Sequence, residues 1–208
     1  MDGAPIYGEG LHVPLVVSGL GIAPGVRRED LVEHIDLAAI SLQAAGIPLP
    51  ANMQGRPVMD PTYKPRHWGF GARDRCDETA DHIRSIHSQR FKYIRNFLPQ
   101  RSYLQPSAYK DAKAILIAIR QWHAQGRLNP IQGLLMRAAR PAEELYDLAN
   151  DPHEIHNLAG QTAFNPTLTQ MREALHQWMT ETRDQGREPE SAAMYESDMA
   201  VYLQKHRD

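Results

Sequence analysis

The stretch IRSIHSQRFKYIRNF, residues 83–97, has the pattern of two β-strands joined by a tight turn. Within it, residues 91–96 alternate between two sets of side chains, which in a strand point to opposite faces of a sheet. The break falls at Gln89–Arg90, between two runs that are rich in aromatic and β-branched residues. We therefore predict strands over 83–89 and 91–97, paired in an antiparallel sheet with mixed faces.

The flanking sequence extends this sheet and adds two helices. We predict further strands at 67–72 and 145–148, the second running into a turn at Asn150-Asp-Pro152. Helical spacing predicts a helix over 110–124, and Asn165-Pro166 is a typical helix start for a second helix reaching about Arg183. The predicted buried positions are Ile115, Ile119 and Trp122 on the first helix, and Leu168, Met171, Leu175, Trp178 and Met179 on the second.

The N-terminal part has a different pattern. Residues 13–17, VPLVV, form a short apolar run typical of a strand buried on both faces, and 31–35 is a second short extended candidate. Asp36 is placed to cap a helix that ends near Ala45, before Gly46. The fold class is therefore predicted as α/β, with the edge of an α/β sheet followed by a small α+β subdomain that contains a roughly four-stranded antiparallel sheet.

These patterns divide the chain into four parts. Residues 1–50 form the α/β edge, and 51–66 are a Pro-rich connection within a longer traverse that starts at residue 46. Residues 67–184 form the α+β subdomain. Residues 185–208 form a polar, peripheral tail, in which Met199, Val201 and Tyr202 are the residues suited to docking.

Composition excludes several classes of partner. The 208 residues are 42% hydrophobic, which is enough for a packed core, and the net charge of −2 gives no reason to expect nucleic acid or an anionic membrane as a partner. The longest apolar run, 114–119, is too short to cross a bilayer. A single cysteine allows no intrachain disulfide and weakly favours a reducing compartment.

The first fourteen residues lack the pattern of an export signal. If the natural protein is exported, we expect its signal to lie upstream of Met1 and the protein to be periplasmic or secreted.

Two motifs suggest ligand sites, and both fit poorly. The loop Gly19–Gly25 follows a predicted strand, but its GxGxxxG spacing is one residue too long for a dinucleotide site, and a plain turn explains it better. His153-Glu-Ile-His156 places its histidines three residues apart, whereas the zinc-protease motif requires four. Capping and surface exposure are the favoured explanation there.

An acidic cluster surrounds Cys76. It consists of Asp74, Asp77, Glu78, Asp81 and His82. Such a density of oxygen ligands suits a hard cation, although a solvated loop is the favoured explanation. Cys76 is a nucleophile candidate only if Arg73 and Arg75 lower its pKa and His82 acts as its base, and a packed, unreactive thiol is favoured.

Five segments together resemble the C-terminal region of the type I sulfatases, in the alkaline-phosphatase-like superfamily. They are YGEGLHVPLVV at 7–17, HIDLA at 34–38 with AGIP at 45–48, MQGR at 53–56, RFKYIR at 90–95, and ELYDL at 144–148 continued by NDPHE and NL to 158. His12 stands where the family usually has arginine. The last segment is the most specific, and the match covers about residues 7–183. The region 72–75 is similar to sulfatases of sulfated sugars, including the N-sulfoglucosamine sulfohydrolase-like group.

This resemblance implies a hydrolase of sulfate esters or sulfamates. Family members use a formylglycine made from a C/S-x-P-x-R motif, together with a calcium-like cation bound by Asp and Asn or His side chains. Both elements precede the region resembled here, and Cys76 is followed by Asp77, Glu78 and Thr79, which does not fit the motif. No catalytic residue or metal ligand can therefore be carried over, and no cofactor is expected within this chain itself. We expect the chain alone to be inactive.

Arg73 and Arg75 are the candidates for contact with an anionic sugar, because guanidinium matches the geometry of sulfate and carboxylate. The alternative is that they pair with Asp74, Asp77 or Asp81. Two functions remain open. The chain is either the C-terminal fragment of a sulfatase, whose partner is the missing N-terminal half, or a standalone non-catalytic module that binds sulfated glycans or a partner protein.

Overall fold

The fold is described by a computed structural model that covers residues 7–19, 21–76, 78–187 and 190–205. Four strands and seven α-helices lie in these ranges: α1 Gly8–Leu11, α2 Asp36–Ala44, β1 Gly69–Cys76, β2 Thr79–His87, β3 Phe91–Asn96, α3 Ala108–Asp111, α4 Ala114–Ala124, α5 Pro130–Leu134, β4 Glu143–Asp147, α6 Asn165–Glu181 and α7 Ala192–Lys205. Two 3₁₀ turns, Thr162–Phe164 and Gln185–Arg187, come before and after α6.

The strands form one antiparallel sheet in the order β1-β2-β3-β4. The hairpin between β2 and β3 turns at Gln89–Arg90, and the Ser88 amide donates to the Phe91 carbonyl at 2.8 Å. This sheet confirms the predicted four-stranded antiparallel arrangement and the α/β fold class. The boundaries proposed for the four parts of the chain remain predictions.

One face of the sheet packs against α6. Ile86, Tyr93 and Leu145 stand in one row across β2, β3 and β4, and they form the main core with apolar side chains of the helix. The buried helix residues are Leu168, Met171, Leu175 and Met179. Trp178 stacks on Phe70 of β1, with ring centroids 4.7 Å apart. The predicted buried face of this helix is therefore confirmed.

The other face of the sheet carries a smaller apolar cluster of Ile83, Ile94 and Tyr146, and Tyr7 packs against it. Each strand alternates between the two faces, so Glu144 and Tyr146 of β4 both point to this second side. Tyr7 therefore brings the N-terminal segment onto the sheet.

Asp36 organises the residues that precede the sheet. It is fully buried at the start of α2, where its carboxylate accepts the backbone amides of Glu33 at 2.8 Å and Arg56 at 2.7 Å and pairs with the Arg66 guanidinium. Asp36 thus binds the preceding and following loops, whereas we predicted it as the helix cap; the cap residue is Ile35. Gly55 passes so close to Ile35 that a Cβ would lie 2.2 Å from the Ile35 carbonyl oxygen.

Two predicted strands are wrong. Residues 12–18 have no regular secondary structure, and of the segment 31–35 only Leu31 forms an isolated bridge, to Arg66. A strand buried on both faces needs a neighbour on each side, and within the described residues all four strands lie in the later sheet. The apolar side chains at 13–17 are instead exposed, and Val16 retains 89% of its accessible surface.

The helix predicted over 110–124 is split, and its buried face is wrong. α3 ends at Asp111, α4 starts at Ala114, and no residue of α4 is buried. Ile115 and Trp122 are exposed. Helical spacing identified the helix correctly, but the described part of the chain places no layer over that face.

The C-terminal parts differ in detail from their predictions. The helix α6 starts at Asn165 as predicted, but the preceding 3₁₀ turn already places Asn165 in helical conformation, so Phe164 occupies the cap position. The predicted polar tail contains α7 and docks through Tyr202, which donates a hydrogen bond to Asp111. Residues 188, 189 and 206–208 of that tail lie outside the described residues.

Candidate functional site

The candidate site lies at the end of β1, where Arg73 and Arg75 were predicted to meet an anionic sugar. The register of β1 against β2 shifts between these two residues, which is the signature of a β-bulge. Arg73 is 5% exposed and lies opposite Ile83, whereas the side chain of Arg75 is 30% exposed. The two arginines therefore occupy different environments, and only Arg75 is substantially open to solvent.

Two carboxylates from the C-terminal segment bind Arg75. Its Nε donates to Glu190 at 2.8 Å and its Nη1 donates to Asp198 of α7 at 2.7 Å. These hydrogen bonds raise the pKa of Arg75 above its ordinary value and hold the pKa of Glu190 below its usual range. The sequence predicted nearby aspartates as the alternative partners, but the acceptors here come from more than a hundred residues away.

The acidic residues around Cys76 are bound to other groups. Asp74 pairs with Arg84 at 2.7 Å, and Arg84 also forms two hydrogen bonds to Asp184, at 2.7 and 2.9 Å. The hydrogen bonds from Arg84 lower the pKa of Asp184 from its ordinary value. Glu78 accepts the Ala108 amide, and Asp77 lies outside the described residues.

Asp81 of β2 and Arg140 form a buried ion pair. Two guanidinium nitrogens of Arg140 donate to the two Asp81 oxygens, at 2.6 and 2.9 Å, and Gln105 adds a third hydrogen bond at 2.7 Å. Both carboxylate oxygens of Asp81 thus accept hydrogen bonds from the protein itself, which indicates a structural role. Across the ranges that the structure describes, no group of three His, Cys, Asp or Glu side chains is arranged to hold a metal ion.

Cys76 and His82 do not form an evident nucleophile and base. The Lys110 ammonium lies 3.4 Å from the Cys76 sulfur, while the His82 ring stacks on Phe97 with centroids 4.1 Å apart. Burial lowers the pKa of His82, so its imidazole is neutral near pH 7. The geometry favours packing as the role of both residues.

The residues of the histidine motif at 153–156 point into different environments. Glu154 adopts a left-handed conformation, with φ of 54°, and its carboxylate is buried against Lys92 at 3.0 Å. His156 remains exposed beside Asp151. Residues 21–30 contain no helix, and Gly21 and Gly25 have positive φ, as in turns. The exposure of His153 and His156 agrees with the predicted surface placement, and the positive φ values agree with a plain turn, whereas the burial of Glu154 was not predicted.

A buried polar cluster around Glu144 was not predicted from the sequence. Glu144 accepts hydrogen bonds from the hydroxyls of Tyr7, at 2.8 Å, and Tyr146, and from the Asn96 amide at 2.6 Å. Burial raises the pKa of Tyr7 well above its ordinary value, so its hydroxyl stays a donor. One signal was available: Glu144 and Tyr146 share a face in alternating β4, which puts a carboxylate beside an aromatic donor.

The described residues form no helix long and apolar enough to cross a membrane.

Comparisons with known proteins give the family. No family model matches the chain. An ulvan-active sulfatase from Formosa agariphila is 31% identical over 188 residues, spanning 89% of this chain and 32% of the relative. Human N-sulphoglucosamine sulphohydrolase is 26% identical over 200 residues, spanning 86% of this chain and 38% of the relative.

A structure described as a sulfatase from Bacteroides thetaiotaomicron is similar with a TM-score of 0.49 and 18% identity, covering 77% of this chain and 28% of that one. The sequence relatives are about three times as long as the region they share with this chain. The shared region covers nearly nine tenths of this chain. The chain therefore belongs to the sulfatase family and is related to the C-terminal portion of these proteins.

Proposed function

We propose that the chain acts as the C-terminal part of a sulfatase that hydrolyses sulfate esters or sulfamates of carbohydrates. In this proposal a preceding polypeptide supplies the formylglycine and the cation site, and the chain supplies structure and one border of the substrate cleft. The sulfatases that it resembles are about three times as long as the shared region, which supports this division.

The exposed apolar surface of the N-terminal segment carries the proposal. Among the residues that the structure describes, half of the exposed large hydrophobic side chains lie between residues 13 and 47: Val13, Leu15, Val16, Val17, Val26, Ile35, Leu37 and Ile47. Soluble monomers rarely leave so many apolar side chains open in one segment, and such surfaces usually mark a contact with another domain. The segment resembles the end of the sulfatase α/β domain. We therefore expect the rest of that domain to pack over these apolar side chains.

Arg75 is the better of the two candidates for substrate contact. Its guanidinium reaches solvent and already binds two carboxylates, which have the charge and oxygen geometry of the anionic groups on a sulfated sugar. An incoming ligand would displace Glu190 and Asp198. Arg73 is buried, so we expect it to hold β1 in place beside Arg75 rather than to contact the substrate itself.

The proposal is tested by the solution behaviour of the purified chain. We expect it to self-associate and to bind a hydrophobic dye, and we expect the double substitution Val13→Ser with Val16→Ser to reduce both signals. The matched control is Val201→Ser, at an exposed site on α7 outside this segment. A monodisperse chain that melts cooperatively and binds no dye would instead support the standalone module.

Activity gives a second test. We expect no turnover of 4-methylumbelliferyl sulfate by the chain alone. We expect turnover to appear on co-expression with a polypeptide carrying a C/S-x-P-x-R motif encoded in frame upstream. Measurable turnover by a clean preparation of the chain alone contradicts the proposal, as does the lack of such a motif upstream.

A further inference from the structure

The helix α7 lies against the sheet subdomain without entering its core. Along residues 191–204 no side chain is buried. The half-buried side chains are three or four residues apart, so they share one face of the helix. They are Tyr195, Asp198, Met199 and Tyr202. The helix α6, in contrast, buries four apolar side chains. We call Glu190 together with α7 the C-terminal strap.

Two carboxylates attach the C-terminal strap to β1. Glu190 and Asp198 both bind the Arg75 guanidinium. The exposed fractions of the three side chains are 30% for Arg75, 29% for Glu190 and 40% for Asp198. Ion pairs at such partly exposed sites contribute little to stability, and salt screens them. This first attachment therefore weakens as the ionic strength rises.

Two further attachments also involve charged groups. The Arg101 guanidinium lies 4.3 Å from the centroid of the Tyr195 ring, and Tyr202 donates a hydrogen bond to Asp111 of α3. Because residues 191–204 bury no apolar side chain, the hydrophobic effect contributes less to docking here than it does for α6. The C-terminal strap is thus attached mainly by polar contacts to charged side chains.

The C-terminal strap occupies the hydrogen-bonding groups of Arg75. Glu190 accepts from both Nε and Nη2, which form one fork of the guanidinium, and Asp198 accepts from Nη1. All three nitrogens therefore donate to the strap. An external oxyanion that binds the same fork with two oxygens must first displace Glu190.

We infer that the C-terminal strap is a releasable autoinhibitory element, which covers Arg75 and leaves the sheet as a unit when its charge contacts are broken. The sheet and α6 stay folded on release, because the described apolar clusters are formed by residues outside the strap. The autoinhibitory role rests on the proposed function, in which Arg75 contacts the substrate, whereas the release itself does not.

Hydrogen exchange of the full chain, followed by mass spectrometry, tests the release. Between low salt and about 0.5 M sodium chloride, exchange of the α7 amides should become about tenfold faster, while exchange in β2 and β3 should change less than about twofold. In low salt, the double variant Glu190→Gln with Asp198→Asn should show the same acceleration in α7. The matched control is Glu29→Gln, which removes a carboxylate from an exposed pair with Arg27 and should leave α7 exchange unchanged.

Labelling of arginines with phenylglyoxal tests whether the strap covers Arg75. In low salt, Arg75 should react about tenfold faster in the same double variant than in the wild type, because no carboxylate then holds its guanidinium. Arg27, whose side chain is 88% exposed, should react at the same rate in both proteins. Neither measurement needs a substrate or turnover.

Three results would overturn the inference. In the first, the α7 amides of the wild type exchange in low salt as fast as those of an unfolded chain, so the strap is not docked. In the second, α7 exchange is unchanged in the double variant or accelerates together with the sheet, so α7 is an integral layer of the subdomain. In the third, the labelling rate of Arg75 is the same in both proteins. Lack of turnover on co-expression contradicts the proposed function alone and leaves the release of the strap standing.

Discussion

Replacing Asp81 by alanine tests the buried ion pair in the sheet subdomain. The substitution removes the acceptor of two charge-assisted hydrogen bonds from Arg140, whose side chain is left buried without its carboxylate. Such bonds contribute about 1.5–3 kcal/mol each, so two of them amount to roughly 3–6 kcal/mol. Breaking buried ion pairs costs about 3–5 kcal/mol in other proteins, and we expect a loss in this range.

The assay is urea unfolding followed by tryptophan fluorescence, because Trp68 and Trp178 both pack against the main core. Glu29→Ala is the matched control: it removes a carboxylate from an exposed pair with Arg27 and should cost less than about 1 kcal/mol. In the double variant Asp81→Leu with Arg140→Met, no charge is left buried, so most of the stability should return. A loss below about 1 kcal/mol for Asp81→Ala would refute the reasoning.

Three further predictions concern packing, backbone and pH. Leu175→Ala, in the core under α6, should destabilise by about 2–5 kcal/mol, whereas Ile115→Ala on open α4 should change the unfolding free energy by less than about 0.5 kcal/mol; equal losses would show that α4 is covered. Gly55→Ala forces a Cβ against the Ile35 carbonyl and should lower stability by about 1–3 kcal/mol, while Gly133→Ala, with open space around its Cβ, should be neutral or stabilising in the same denaturation assay. The folded-state pKa of Asp184 is lowered, so its contribution is present above the ordinary carboxyl pKa and is lost as the pH falls through the folded value; the stability gap between wild type and Asp184→Asn should therefore shrink in acid, and a gap independent of pH from 7 to about 3 would contradict this.

The sheet and α6 could be predicted because their signals are local. Alternation over residues 91–96 sets the faces of β3, and helical spacing from Leu168 to Met179 gives the buried stripe of α6. Each pattern needs only the residues of its own element, and the partner layer lies in the same chain.

The wrong predictions share another cause. Residues 13–17 and α4 have the apolar patterns of buried elements, but the described residues supply no layer over them. A pattern predicts that an element has an apolar face and cannot tell which molecule covers that face.

The hydrogen-bond partners of the candidate site could not be predicted from the sequence either. Arg75 meets Glu190 and Asp198, and Glu144 meets Tyr7, across 115, 123 and 137 residues of sequence. Spacing rules work within one helix or between neighbouring strands. The identity of a distant carboxylate depends on how the loops return to the sheet.

The hydrogen bond between Tyr7 and Glu144 has a consequence for the order in which the chain matures on the ribosome. The first three strands are neighbours in sequence and can pair as they emerge, but Tyr7 must wait for an acceptor that is made 137 residues later. At translation rates of about 5–20 residues per second, this delay is roughly 7–27 s. During that interval the apolar segment that follows Tyr7 has no anchor on the sheet, and it is then that a chaperone or a partner domain would have the greatest effect on yield.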